Sequence, residues 1–248
     1  MASLDPAPAL HCARLHKRYG SAVALNDFSL TVADRQTFGL VGMNGAGKTT
    51  LLKCLLDFSE LDGGQIEIFG VSYHLTRSRS RLAFLPERFN PPFYLTGKDF
   101  LRYMLQLQEA VYQDHEVERM FLALDLDLSA LSKPVRAFSK GMTQKLGLAA
   151  CLLSRKDLYV LDEPTSGLDP KARALLKAQL RVARDEGKTI FFTSHALADV
   201  DELCDQMAVI HRGELRFSGT PDELRERHAA PNLEQAFLAC IEAQALAG

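Results

Sequence analysis

Eight residues near the start of the chain constrain its fold more than any other stretch. The segment Gly42-Met43-Asn44-Gly45-Ala46-Gly47-Lys48-Thr49 fills every fixed position of the pattern G-x-x-x-x-G-K-[ST]. The apolar residues 37–41 before it predict a short buried strand, and residues 49–56 after it predict a helix with one apolar face. A glycine-rich turn between a strand and a helix can aim successive backbone N–H groups at an anion. We therefore expect this turn to hold the phosphates of a nucleoside triphosphate.

The side chains of this phosphate-binding turn have predicted roles of their own. Lys48 would reach the β- and γ-phosphates, and the hydroxyl of Thr49 would ligate Mg²⁺. The glycines would let the backbone curl around the phosphates without a Cβ in the way. The nucleotide-binding residues predicted in this stretch are Gly42, Asn44, Gly45, Ala46, Gly47, Lys48, Thr49 and Thr50.

Composition indicates the class of protein in which the turn lies. A chain of 248 residues can form one large α/β domain or two small ones, and its net charge of −2 argues against a general nucleic-acid binder. Its five cysteines form no C-x-x-C pair, which is typical of reduced thiols packed in a core. No apolar run approaches the roughly 18 residues of a membrane span, and no signal peptide is visible. We expect a soluble intracellular protein whose membrane role, if any, comes through a partner.

The rest of the sequence alternates between strand-like and helix-like segments. Short strand-like runs occupy residues 10–15, 23–25 and 28–32. In the third run, Phe28, Leu30 and Val32 alternate with polar residues, which suits a half-buried antiparallel strand. Residues 97–131 change to a helical pattern, and Ser139 is predicted to cap the next helix. Strands and helices then alternate, which predicts an α/β fold with a mostly parallel sheet and helices on both faces.

A pair of adjacent acids follows the apolar residues 158–161. Asp162, at the carboxyl end of that predicted strand, suits a carboxylate that holds Mg²⁺ directly or through water. Glu163 is placed to accept a proton from an attacking water, or to orient it. Two acids after a strand would, by themselves, more often belong to a loop or a helix cap. Combined with the phosphate-binding turn, they favour hydrolysis of the triphosphate.

Further motifs give the sequence a specific resemblance. Phe138-Ser139-Lys140-Gly141-Met142 lies before the acidic pair, whereas Ser166-Gly167-Leu168-Asp169 and His195 follow it. Together with the phosphate-binding turn, these motifs resemble the nucleotide-binding subunit of the ATP-binding cassette (ABC) transporter family over roughly residues 10–225. A phosphate-binding turn occurs in many NTPases, whereas this combination is nearly diagnostic of one family.

The resemblance implies contacts within one subunit for three residues. Tyr19, expected in the loop between the first two strand-like runs, would stack on adenine; otherwise it is an ordinary packing aromatic. Glu87 stands where most family members carry Gln, and it would contact Mg²⁺ or water and relay to a membrane subunit. His195 would contact the γ-phosphate, although a lone histidine in a loop is usually structural.

Three other residues are implied to act across a dimer. Ser139 and Gly141 belong to the signature motif, which in this family reaches the γ-phosphate on the opposite subunit, and Asp169 lies in the loop that crosses the dimer interface. The motif departs from the usual Leu-Ser-Gly-Gly-Gln, but a Ser hydroxyl and a Gly N–H at a helix N-terminus remain, and Lys140 adds a charge that suits an anion. The altered signature motif and the Glu at position 87 both resemble variants found in exporter-type ATPase subunits that are encoded as separate chains.

The resemblance also implies a domain plan and a full set of site residues. Residues 1–8 would be a disordered lead-in, residues 9–228 an ABC ATPase domain, and residues 229–248 a C-terminal helical extension. The ATPase domain would have a P-loop NTPase core, an N-terminal antiparallel β subdomain and a helical subdomain at about 88–153. The predicted catalytic residues are Glu163, His195 and Lys48, the metal ligands are Thr49, Glu87 and Asp162, and the nucleotide contacts beyond the turn are Tyr19, Ser139, Gly141 and Asp169.

The expected function is ATP hydrolysis, with ATP and Mg²⁺ as cofactors, that drives a separate membrane permease, with export favoured over import. The chain would lie on the cytoplasmic face of the inner membrane and form a head-to-tail dimer with a second copy or a homologous subunit, with no nucleic-acid partner. The aromatic residues 89–94 and the helical residues 97–131 are predicted to dock on the permease, although a locally packed loop is an equal alternative. The rival hypothesis is a regulatory or mechanical ABC-type ATPase. A kinase or switch GTPase does not fit the signature motif and His195.

Overall fold

The computed structural model describes residues 7–242 and divides into two compact units. The first unit contains the chain up to Arg79 and again from Thr189 onward, and the second is Ser80–Lys188. The helical subdomain predicted at residues 88–153 is part of the second unit. Most of the expected lead-in, and the last residues of the expected C-terminal extension, lie outside the described residues, so the domain plan stays a prediction.

Strands and helices alternate along the described chain. The strands are β1 (Leu10–Tyr19), β2 (Ala22–Val32), β3 (Thr37–Val41), β4 (Gly63–Ile68), β5 (Val71–Ser72), β6 (Leu82–Leu85), β7 (Leu158–Asp162), β8 (Thr189–Ser194), β9 (Gln206–His211) and β10 (Glu214–Gly219). The helices are α1 (Lys48–Leu55), α2 (Gly97–Leu107), α3 (Asp114–Ala123), α4 (Lys140–Leu153), α5 (Pro170–Asp185), α6 (Leu197–Leu203), α7 (Pro221–Arg227) and α8 (Leu233–Glu242). Short 3₁₀ turns occupy Thr76–Arg81, Leu128–Ser132 and Val135–Ala137.

The first unit contains an antiparallel sheet in the order β2-β1-β4-β5. The predicted extent of its first two strands was wrong, because β1 continues to Tyr19 and β2 is one uninterrupted strand. Tyr19 therefore ends a strand rather than lying in a loop. The pairing of β1 with β2 shifts register between Cys12 and Leu15, where Arg14 has a φ of 48°. A bulge of this kind adds a residue and breaks the period-two pattern, so the alternation looks like the end of a strand.

The first unit also contains a group of mostly parallel strands. β3 pairs in parallel with both β8 and β9, and β10 returns antiparallel to β9. All residues of β3 and of β8 are buried, as expected for strands covered on both faces. In the second unit, β6 and β7 also pair in parallel. The predicted α/β fold, with an antiparallel N-terminal sheet and a mostly parallel main sheet, is confirmed.

Helices dominate the second unit. α2 and α3 both pack against α4, which also contacts β6. Phe100 of α2 and Phe121 of α3 are almost completely buried. The Ser139 hydroxyl oxygen accepts a hydrogen bond from the Met142 N–H at 3.2 Å, so the predicted cap of α4 is confirmed. This cap fixes where α4 begins, within the signature motif.

The helices and the cysteines of the described chain have no feature of a membrane span or a reactive site. None of the helices within residues 7–242 combines the length and the apolar character that crossing a bilayer requires. All five cysteines are free thiols, and burial raises the pKa of Cys12 and of Cys151 to about 12. Such thiols stay protonated at neutral pH and act as core packing, as the sequence predicted.

Candidate functional site

The phosphate-binding turn lies between β3 and α1, where the sequence places it. Gly45 and Gly47 have φ angles of 79° and 115°, which are left-handed values that residues with a side chain rarely adopt. A Cβ on Gly47 would also lie 2.6 Å from the carbonyl oxygen of Ala24. Gly47 is the N-cap residue of α1, and no side chain of the described residues caps that helix end. The first N–H groups of α1 are therefore available to an anion.

The β9–β10 hairpin supports the turn from behind. The N–H of Gly213 donates a hydrogen bond to the carbonyl of Ala46 at 2.8 Å, and a Cβ on Gly42 would lie 2.5 Å from the carbonyl oxygen of Ile210. Asn44 and Gly45, on the other side, are exposed. The turn is thus held rigidly on one face and open to solvent on the other, where a ligand would bind.

Lys48 places a positive charge inside this turn. The residue is only 7% exposed, and its ammonium group donates hydrogen bonds to the carbonyls of Gly42 at 2.5 Å and Met43 at 3.5 Å. The first turn of α1 contains no acidic residue. The positive helix end and the ammonium group therefore add in the same place, which favours a polyanion.

His195 leaves the same edge of the sheet as the phosphate-binding turn. β3 and β8 are parallel, and Val41, which precedes the turn, pairs with Ser194, which precedes His195. Residues that directly follow paired residues of parallel strands leave the sheet at the same edge. His195 is exposed. The first unit therefore places the phosphate-binding turn and His195, the predicted γ-phosphate contact, at one edge of its parallel strands.

Tyr19 ends β1 with about half of its surface, 48%, exposed to solvent. Its hydroxyl lies 3.3 Å from the Ser59 hydroxyl, and the Lys17 ammonium lies 5.3 Å from the ring centroid. Lys17 is in turn held by the Asp62 carboxylate at 3.1 Å. The ring is fixed at its edge while much of its surface stays open, which suits stacking on a base.

In the second unit, the predicted acidic residues also follow the ends of parallel strands. β6 and β7 are parallel, and Leu85 pairs with Leu161, so Glu87 and the acidic pair leave neighbouring strands at one edge. Asp162 and Glu163 are each 7% exposed, whereas Glu87 is exposed. Glu163 has a φ of 47°, a left-handed conformation that costs a residue with a side chain roughly 1–3 kcal/mol and often marks a functional site. The three predicted site residues therefore follow neighbouring strands of this unit at one edge.

The signature residues lie at the N-terminus of α4. Ser139 is exposed, and its hydroxyl oxygen accepts the capping hydrogen bond while its own hydrogen remains available to donate. Among the described residues, a Cβ on Gly141 would meet only the Ser139 hydroxyl oxygen, at 4.0 Å. Packing within the chain therefore does not require glycine at this position, whereas the close approach of a ligand to the backbone would.

Asp169 has a structural role that the sequence analysis missed. Its carboxylate accepts a hydrogen bond from the Ala172 N–H at 2.8 Å and caps α5, with Pro170 in the first turn. The signal was present in the sequence, because Asp followed by Pro is typical of a helix start. The support of the phosphate-binding turn by Gly213 was also missed, since it joins residues far apart in the chain. The role of Asp169 at a dimer interface stays a prediction.

The predicted metal ligands have the donor chemistry of a magnesium site. Thr49 supplies a hydroxyl oxygen, and Asp162 and Glu87 supply carboxylate oxygens. Within residues 7–242, no three His, Cys, Asp or Glu side chains gather into a metal-binding group. Mg²⁺ commonly takes only one or two protein carboxylates and completes its shell with waters and phosphate oxygens. Each of these side chains therefore has the oxygen chemistry that Mg²⁺ prefers, and their joint role as ligands stays a prediction.

Comparisons with known proteins agree with this geometry. The family described as ABC transporter matches residues 25–166, which include the phosphate-binding turn, the signature motif and the acidic pair. Uncharacterized ABC transporter ATP-binding proteins of Synechocystis sp. and Nostoc sp. are 40% and 42% identical over 81% and 82% of this chain. The chain spans 58% and 61% of the lengths of these two relatives.

A third relative and a solved structure extend the likeness. The Nod factor export ATP-binding protein I of Ralstonia nicotianae is 36% identical over 88% of this chain and 68% of its own length. The solved structure of an ATP-binding subunit of an ABC transporter matches with a TM-score of 0.85 and 28% identity, covering 94% of this chain and 99% of that one. The family match takes in more than half of the chain, and the fold agrees over nearly all of it. This chain therefore belongs to the ABC transporter family.

Proposed function

We propose that this chain hydrolyses ATP and thereby drives an export-type membrane permease encoded as a separate chain. The observation that carries the proposal is the phosphate-binding turn, in which a buried ammonium and an uncapped helix N-terminus converge on one open face. Export is supported by the relatives named Nod factor export ATP-binding protein I. In this proposal the chain lies on the cytoplasmic face of the membrane, held there by the permease.

Binding of the adenine and the phosphates is assigned to the first unit. The adenine stacks on Tyr19, and the phosphates lie on the N-terminus of α1. The Lys48 ammonium then exchanges its carbonyl partners for oxygens of the β- and γ-phosphates. Thr49, Asp162 and Glu87 would hold Mg²⁺, whose charge offsets that of the phosphates. Binding is thus dominated by the electrostatics of the turn rather than by recognition of the base.

Hydrolysis is assigned to residues at the carboxyl edges of the strands. Glu163, whose backbone is in the left-handed conformation, accepts the proton of the attacking water. His195 donates a hydrogen bond to the γ-phosphate. Ser139 and Gly141 of a second copy, or of a homologous subunit, complete the phosphate site through the hydroxyl hydrogen and the backbone N–H. Closing and reopening of that head-to-tail dimer would move the permease between two states.

Substitution of the proposed base tests this mechanism. Glu163→Gln should lower the rate of ATP hydrolysis by about 10²-fold or more, because the amide cannot accept the proton, while ATP binding persists and the closed dimer accumulates. Phosphate release and light scattering with MgATP measure the two effects. Glu186→Gln, which changes an exposed acid just beyond α5 in the same unit, is the matched control and should retain full activity. Hydrolysis by Glu163→Gln at the wild-type rate would show that Glu163 is not the base.

The docking surface for the permease is assigned to the aromatic loop and α2. Phe93 and Tyr94 are 65% and 68% exposed and contact each other at 5.7 Å between ring centroids. Phe89, by contrast, packs edge-on against Phe100 at 5.6 Å. The loop is therefore anchored at one aromatic residue and presents two others to solvent. An exposed aromatic pair on a held loop favours a protein interface over local packing.

Co-purification with the permease tests the docking surface. The double substitution Phe93→Ser and Tyr94→Ser should abolish co-purification while nucleotide affinity is unchanged, because neither ring supports the fold. Phe58→Ser removes another highly exposed aromatic, in the first unit, and should have no effect on either measurement. Retention of the permease by the double variant would assign docking to another surface.

A further inference from the structure

Gln144 carries a buried polar group that the proposed chemistry does not use. The residue belongs to α4, is only 8% exposed, and its side-chain nitrogen Nε2 has no hydrogen-bond partner among the described residues. A buried amide donor without a partner loses its hydration and gains nothing in exchange, so such groups are rare in folded proteins. The position of this amide therefore indicates a partner other than a protein group.

A small cavity lies beside the amide. Its volume is about 10 Å³, and it is lined by Gln144 and Leu148 of α4, by Pro164 and Leu168 of the loop after Glu163, and by Ala172 of α5. A single water molecule needs roughly 10–15 Å³ of such volume and two to four polar partners. The cavity is thus at the lower size limit for one water and too small for any larger ligand, and most of its other lining side chains are apolar.

We propose that Gln144 donates a hydrogen bond from Nε2 to one internal water in this cavity, and that the water bonds in turn to the backbone of residues 164–168. Internal hydrogen bonds shape this loop, since the Ser166 N–H donates to the Glu163 carbonyl at 3.0 Å and the Leu168 N–H to the Thr165 carbonyl at 3.3 Å. The water bridge adds a polar connection from the loop to α4. Gln144 is therefore a positioning residue for the loop that begins at Glu163.

The bridge has a consequence that rests on the proposed function. Ser139 caps the same helix that carries Gln144, and Glu163 directly precedes the bridged loop. In the proposed dimer, Ser139 contacts the ATP held by the partner, whereas Glu163 acts on the ATP of its own subunit. The path from Ser139 through α4, Gln144 and the water to Glu163 thus connects the two ATP sites within one chain. Closure at one site would position the base at the other, which makes hydrolysis cooperative in ATP.

The experiment compares Gln144→Met, which keeps the length of the side chain but removes its amide, with Gln235→Met, the same change at an exposed position of α8. A high-resolution crystal structure of the wild type should show one water within hydrogen-bond distance of Nε2 and of the loop backbone. Amide hydrogen exchange at residues 165–169 should accelerate about 10-fold in Gln144→Met and remain unchanged in the control. The Hill coefficient of MgATP hydrolysis should exceed 1 in the wild type and fall to about 1 in Gln144→Met only.

A cavity without water in the wild type, or unchanged exchange in Gln144→Met, would overturn the bridge. A bridge without any change in the Hill coefficient, or a wild-type coefficient of 1, would overturn the coupling. If Gln144→Met does not fold, the wild-type crystal structure alone decides whether the bridge exists. Failure of the proposed function is seen separately, because a wild-type chain that does not hydrolyse ATP can still show the water and the exchange effect.

Discussion

Ser139 combines a structural contact with a proposed catalytic one, and two substitutions separate them. Its hydroxyl oxygen accepts the Met142 N–H at 3.2 Å and caps α4, while its hydroxyl hydrogen is proposed to bond to the γ-phosphate of the partner subunit. Ser139→Ala removes both contacts. Ser139→Asp retains an acceptor for the cap but places a negative charge where the phosphate should approach. We predict that the Asp variant is the more stable of the two and the less active.

The magnitudes follow from these two contacts. Loss of an N-cap acceptor costs about 1 kcal/mol, which lowers the melting temperature of a chain of this size by about 2–4 °C. Asp caps a helix as well as Ser does, so the Asp variant should unfold within about 1–2 °C of the wild type. Loss of one hydrogen bond to a charged group, about 1.5–3 kcal/mol, lowers activity roughly 10- to 100-fold in the Ala variant. Two like charges about 4 Å apart repel by about 4 kcal/mol at a dielectric of 20, which lowers activity about 10³-fold in the Asp variant.

Calorimetric unfolding measures the two changes in melting temperature, and steady-state hydrolysis at saturating MgATP measures the two losses of activity. ATP-dependent dimerisation, followed by light scattering, shows whether activity is lost at closure. Wild-type hydrolysis by the Asp variant would refute an approach of Ser139 to a phosphate. Equal loss of melting temperature in the two variants would refute the capping argument.

Two further predictions concern the first unit. Gly47→Ala should destabilise the fold by about 2–4 kcal/mol and abolish ATP binding, because the new methyl group would lie 2.6 Å from the Ala24 carbonyl oxygen in a left-handed backbone. Gly45→Ala is the matched control, because nothing lies within 4 Å of its Cβ, and it should cost only about 1–2 kcal/mol of backbone strain. Urea unfolding measures both free energies. Lys17→Met should raise the pKa of Asp62 towards its ordinary value of 3.8, because the hydrogen bond from Lys17 lowers that pKa. In the wild type, the stabilisation from the Asp62 carboxylate is present above pH 3.8 and is lost as pH falls through the pKa of the folded state. NMR titration of Asp62 measures this pKa, and an unchanged value in Lys17→Met would contradict the assigned cause.

Much of the site could be predicted because its chemistry is local in the chain. Phosphate binding needs a strand, a glycine-rich turn and a helix in immediate succession, so residues 37–56 carry both the motif and its context. Asp162 and Glu163 are likewise adjacent, and their position at a strand end follows from the apolar residues before them. Ser139 and its cap are set within four residues. Each of these groups has its partners a few residues away, where periodicity and spacing are informative.

The tertiary structure decided whatever depends on residues far apart in sequence. The continuation of β1 to Tyr19 was hidden by a bulge at Arg14, whose register is set by a neighbouring strand. The exposure of Phe93, in a loop whose Phe89 is packed, follows from which side of the loop meets α2.

One hydrogen bond and one cavity show most clearly what depends on residues far apart in the chain. The support of the phosphate-binding turn by Gly213 joins residues more than 160 positions apart, at Ala46 and Gly213. The cavity beside Gln144 is bounded by elements from residues 85 to 176. Sequence spacing determines the chemistry that a short segment can perform, because covalent geometry fixes it. Which distant segments hold that chemistry in place is decided only when the core packs, since packing selects contacts by shape rather than by order along the chain.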